Sequence, residues 1–92
     1  MSEYEVGYFI GERWVGITFA RSALEARKIA MYYCEDGGKN WILDRTKGKV
    51  LGTVERIGNR FYYEPARGGR KELRYDGTEA TKGEKGWHPF GL

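Results

Sequence analysis

One cysteine, one histidine and two prolines are spread over 92 residues, and no apolar run approaches the ~20 residues that a bilayer-spanning helix needs. Each scarcity excludes something. Cys34 has no second thiol with which to close an internal disulfide, which fits a reducing cytoplasm. Its place on the apolar side of a helical stretch makes it a small buried hydrophobe. His88 sits beside Pro89 near the C-terminus, far from Cys34, so the convergence of ligands that a metal site requires is not expected. Nucleophilic catalysis needs a base within hydrogen-bond reach of Ser, Cys or Thr, and the pattern provides none. Gly37-Gly38 and Gly68-Gly69 lack the strand-loop-helix setting of a phosphate-binding loop or dinucleotide fingerprint. The opening MSEYEVGYF carries acidic residues early and does not read as a signal peptide. Neither an enzyme nor a cofactor is expected. Glu35, Asp36 and Asp44, with their neighbours, are the one carboxylate set that a hydrolytic reading would have to use.

Aromatic residues, by contrast, make up 15% of a chain whose apolar content is 40%. That is enough to fold one small domain. The stretch SALEARKIAMYYC, Ser22 to Cys34, is the one convincing helix. Ser22 followed three residues later by Glu25 is a capping box, and Gly37-Gly38 stops the helix. At 100° per residue, Ala23, Ala26, Ile29, Ala30, Tyr33 and Cys34 form an apolar stripe, with Glu25, Lys28, Tyr32, Glu35 and Asp36 opposite. Small alanines let the helix axis approach whatever it covers.

On either side the pattern has a period of two. Residues 4–10 place Tyr4, Val6, Tyr8 and Ile10 on one face, and WVGITFA comes after Gly11-Glu12-Arg13 with Val15, Ile17 and Phe19 together. Gly7 and Gly16 in mid-strand mark a bulge or the close approach of another element, and crossing by the alanine-rich helix would supply one. Trp41-Ile42-Leu43, then VLGTVERI, then RFYYEP after the Gly58-Asn59 hairpin signal continue the series, and a weaker ELRY adds a sixth strand. The expected fold is α+β: a single antiparallel sheet in the order β-β-α-β-β-β, with one helix on one face. The compact domain is expected over 1–77, succeeded over 78–92 by a polar, glycine-containing spacer and the apolar WHPFGL.

Net charge is +3, and the excess is local. Between positions 56 and 74 stand Arg56, Arg60, Arg67, Arg70, Lys71 and Arg74 against Glu64 and Glu72. Arg60, Tyr62, Arg67, Arg70, Lys71 and Arg74 are therefore the candidate binding residues. Aromatic rings beside cations suit single-stranded nucleic acid, whose bases stack while phosphates meet Lys and Arg. Tyr, Trp and Arg are equally the residues enriched at protein hot spots. The plain alternative makes Phe61 and Tyr63 core, Tyr62 an edge residue and the basic loop solvated. Trp87, Pro89 and Phe90 form a second candidate motif, which either folds back into an apolar groove of its own domain or docks on a partner.

The layout of two strands, a capped SALEARKIA helix and a hairpin resembles short domains from bacteria and their phages. Among these are cofactor-free inhibitors of host defence systems, anti-CRISPR proteins included. The resemblance is one of size and layout. The expected protein is a cytoplasmic monomer or weak dimer that binds a protein partner stoichiometrically, and the resemblance implies a partner complex that handles nucleic acid. Direct nucleic-acid binding is the alternative.

Overall fold

Alternating side chains and β-branched or aromatic residues drive six segments into strands: β1 Tyr4–Ile10, β2 Arg13–Ala20, β3 Lys39–Asp44, β4 Lys49–Ile57, β5 Arg60–Pro65 and β6 Lys71–Leu73. The computed structural model describes residues 3–81. All strand pairs are antiparallel, in the order β2-β1-β3-β4-β5-β6. One helix, α1 (Ala23–Tyr32), joins β2 to β3 and packs on β1, β2, β3 and β4. The fold is the α+β arrangement read from the sequence, sixth strand included. Among the described residues no helix is long and apolar enough to cross a membrane.

The strand registers sort the sheet into two faces. Val6 opposes Ile42, Asn40 opposes Val54, Val54 opposes Tyr63, and Phe61 opposes Leu73. These residues share the helix side, and all but the polar Asn40 belong, with Ala20, Ala26, Ala30, Met31 and Cys34, to the buried apolar core. Val6, Ile42, Val54, Ala26 and Ala30 have no exposed surface, so the alanines bring the helix down onto branched aliphatic side chains as their size suggests.

Ser22 caps the helix, its Oγ accepting from the Glu25 N–H at 3.0 Å from an extended backbone (φ −137°, ψ 158°). The other end departs from the expected span. Tyr33 has already left helical geometry (φ −96°, ψ 10°), so the 100° wheel overruns there. Met31 is buried in its place, and Tyr33 is 54% exposed. Since Cys34 N–H donates to Met31 O at 3.1 Å, the Ala30 carbonyl takes its donor from the sheet instead. Buried Asn40 supplies it, through Nδ2 at 3.0 Å.

Two further expectations are corrected. A register shift between Val6 and Gly7 inserts an extra residue into β2, which changes parity along the strand. Val15 opposes Tyr8 and Ile17 packs on the core, but Phe19 opposes Glu5 on the other face and stands 55% exposed. Nor does the helix cover Gly7. A Cβ there would meet the Val15 carbonyl oxygen and, at 2.6 Å, the Trp14 ring. The close approach is made by the indole from the face opposite the helix. Phe9 packs edge-on against both Trp14 (centroids 5.1 Å apart) and Trp41 (5.2 Å), completing a satellite aromatic cluster there.

The two borders of the sheet differ. β2 pairs only with β1 among the described residues. Beyond β6 the chain turns through Asp76-Gly77 and comes back. Glu79 bridges to Leu73, and the Ala80 N–H donates to Glu72 O at 2.8 Å.

Candidate functional site: a tyrosine-rimmed groove

The helix covers four strands and leaves the inward-facing rings of β5 beyond its edge. Arg27 reaches across to Tyr63, its guanidinium 5.2 Å from the ring centroid. Phe61 is met instead from the turn after β6, where Tyr75 lies against it at 6.0 Å, edge to face. Between the flank of the helix and Tyr75 lies a groove of about 730 Å³, within the ~300–1,000 Å³ range of sites that hold ligands. Ile29, Met31 and Phe61 are its apolar lining, and Tyr32, Tyr33 and Tyr75 form its rim. Tyr32 is 81% exposed and Tyr75 44%.

Hydrogen bonds fix one wall and close packing the other. After the helix the chain is stitched to the end of β4: Gly37 N–H donates to Arg56 O at 2.9 Å and Arg56 N–H to Gly38 O at 3.1 Å. The Arg56 guanidinium donates from Nη1 to Cys34 O (3.3 Å) and from Nε to Gly58 O (2.7 Å), and lies 5.8 Å from the Phe61 centroid. Asp36 accepts from Gly58 N–H at 2.7 Å. Tyr32 and Tyr33, packed edge to face at 4.9 Å, are carried by this stitched segment. The opposite wall is set by Gly77. Its φ of +85° suits glycine, and a Cβ there would stand 2.9 Å from Lys28 Cγ and 3.1 Å from Leu24 Cδ1. The turn that carries Tyr75 is thereby held close against the helix. Lys28 and Arg56 line the groove against a single carboxylate, Glu25, so its charge is positive.

The residues picked out in the sequence are divided by the structure. Arg60, Tyr62 and Arg70 meet on the face opposite the helix. Arg70 stacks 4.3 Å over the Tyr62 ring and pairs with Glu55 at 3.3 Å, and Arg60 lies 3.7 Å from Glu72. Lys71 and Arg74 belong to the outer border. Lys71 pairs with Glu79 at 3.3 Å, while Arg74 donates to Thr78 Oγ1 (3.1 Å) and Glu79 O (2.8 Å). Arg67 is exposed in the β5–β6 loop. Trp87, Pro89 and Phe90 lie outside the described residues. Sequence reasoning passed over the groove. Its one signal was Tyr32-Tyr33 straddling a helix end, where one ring must face outward.

The carboxylate set does not assemble. Asp36 lies beside Gly58, whereas Asp44 stands opposite Lys49 in the strand register and accepts from Lys47 N–H at 3.0 Å, at the opposite end of the β3–β4 hairpin. Among the described residues no three His, Cys, Asp or Glu side chains are placed to hold a metal ion. Cys34 is buried, its Sγ 3.3 Å from Gly38 O and 3.7 Å from Val54 O, and burial pushes its thiol pKa up. A thiol so held is a poor nucleophile. Comparisons with family models, with curated proteins and with solved structures find no match.

Proposed function

We propose that the protein is a non-enzymatic binding module that engages a protein partner stoichiometrically through the groove between α1 and Tyr75. The observation that carries this reading is the rim of three exposed tyrosines around an apolar floor. Tyrosine offers a large amphipathic contact area at little entropic cost, and such anchors dominate interface energetics. The two cations against one carboxylate select a partner segment that presents an apolar or aromatic side chain beside an acidic one. Arg60, Arg70 and Lys71 already face carboxylates, so phosphates would have to displace them. This favours a protein over nucleic acid as the ligand. The partner class that the resemblance to bacterial and phage domains implies is a complex that handles nucleic acid, which binding would regulate or inhibit.

The test is affinity capture from a lysate of the native host, with and without nuclease, using wild type, Tyr75→Ala, Tyr32→Ala and Arg70→Ala. The expected result is one protein retained in stoichiometric amount after nuclease, lost at least tenfold with either tyrosine variant and kept by Arg70→Ala. Retention by both tyrosine variants would remove the groove from the account. Capture that vanishes with nuclease and falls steeply with salt, as counterion release requires, would assign the ligand to nucleic acid.

A further inference from the structure

Among the described residues β2 pairs only with β1, which leaves a border of eight residues open. We infer that its occupant is β2 of a second copy, the two strands running antiparallel about an axis between Gly16 and Ile17. This dimer surface stands apart from the groove and does not rest on the partner reading above.

Open edges template pairing with a further strand, and proteins blunt them with lysine, proline or inward charges. Arg13–Ala20 has neither lysine nor proline, and its only charge stands at its first residue. What singles out a second copy is that residues 12–21 are complementary to their own reverse. Glu12 meets Arg21 of the second copy, Trp14 meets Phe19, and Val15 meets Thr18, each pair repeated by the axis. Opposite charges therefore close both ends, aromatic faces aromatic, and one β-branched side chain faces another, as a stable antiparallel ladder prefers. Arg13 falls against Ala20 rather than against a second cation. Glu12 and Arg21 are exposed, and among the described residues neither takes part in an ion pair.

Strand phase supports the same register. In a regular strand two residues an odd number of places apart, as Trp14 and Phe19 are, point to opposite faces, and this pairing would be barred. The bulge removes the bar. Trp14 opposes Phe9 and Phe19 opposes Glu5, both away from the helix, while Val15 opposes Tyr8 and Thr18 opposes Val6 on the helix side. Ile17, the extra residue, falls at the axis against Gly16, which has no side chain to set on the wrong face. The outward N–H and C=O groups of the two halves of β2 come into step for the same reason, each half being in phase with an unbroken β1. A bulge more often turns an edge away from pairing; here it makes the edge match itself. The exposed Phe19 ring is set against Trp14 of the second copy, which packs on Phe9 and through it on Trp41. The satellite aromatic cluster thus continues across the axis.

Sedimentation velocity of the full chain over a range of concentrations provides the test, with circular dichroism to confirm folding. Wild type is expected to form a dimer that dissociates on dilution. Glu12→Arg or Arg21→Glu sets like charges opposite each other at both ends and should raise the dissociation constant roughly tenfold. The double variant Glu12→Arg/Arg21→Glu should restore it, and Phe19→Lys should abolish the dimer, all with the wild-type dichroism spectrum. A wild type that stays monomeric up to its solubility limit would overturn the proposal. So would a dimer indifferent to both single reversals, or one that the double reversal fails to restore.

Discussion

Replacing Asn40 by alanine tests how the end of the helix is held, and through it the placement of Tyr32 and Tyr33. The amide donates to Ala30 O from a residue only 5% exposed, at a carbonyl whose usual partner, the Cys34 N–H, bonds Met31 O instead. Asn40→Ala removes the donor and leaves a buried carbonyl unsatisfied, a loss of ~1–3 kcal/mol. A chain of this length is stable by roughly 5–14 kcal/mol, so the loss is a substantial share. At ~4–8 °C per kcal/mol for a small domain, a loss near the middle of that range lowers the melting temperature by about 8–16 °C. Asn40→Asp should be at least as damaging, because a carboxylate oxygen would face the carbonyl. Urea unfolding monitored by tryptophan fluorescence, with the exposed neighbour Lys39→Ala as control, gives both values. If Asn40→Ala fell within ~0.5 kcal/mol of wild type, the range of ordinary surface substitutions, the hydrogen bond would not hold the helix end.

Other perturbations probe other contacts. Gly7→Ala forces a methyl against the Val15 carbonyl and the Trp14 ring and should destabilise by ~1–3 kcal/mol, visible in the same urea titration; an unchanged midpoint would mean that the indole moves aside freely. Ser22→Ala should cost ~1 kcal/mol through the lost cap, and Ser22→Asp should restore most of it. Burial raises the folded-state pKa of Cys34 above its ordinary 9.0 and of Tyr63 above its ordinary 10.0, the latter against the pull of Arg27. Above those values the unfolded chain releases protons that the folded chain keeps. Stability should therefore be full below pH 9 and decline as pH rises beyond it. Cys34→Ser should flatten the first part of that decline, and a stability that climbs with pH would contradict the burial argument.

Most of the architecture was legible because it rests on local rules. Two-residue alternation marks β1, β2 and β4, the apolar run Trp41-Ile42-Leu43 marks β3, Gly58-Asn59 announces the β4–β5 hairpin, and Ser22 and Glu25 mark the start of the helix. The features that escaped depend on neighbours that the sequence does not reveal. The bulge in β2 sends Phe19 outward although it shares parity with Val15 and Ile17 on paper. Tyr33 fell off the helical wheel because the helix ends one residue earlier. The basic residues around β5 and β6 look unpaired along the chain, and only the register across β4, β5 and β6 brings Glu55 and Glu72 to either side of Tyr62, within reach of Arg70 and Arg60. The groove was hidden for the same reason. Phe61, Arg56 and Tyr75 come from separate elements, and nothing local says that a ten-residue helix stops short of the fifth strand.

The unlike borders of the sheet limit how copies of this molecule can add to one another. Extension into a filament needs two accepting sides, so that each new member offers a fresh one. Here β6 is already met by Glu79 and Ala80, while β2 presents eight residues whose only charge is Arg13. Among the described residues β2 is the border left open, and pairing of β2 with β2 about a two-fold axis would consume both accepting sides at once, whereas a filament would need a second open border.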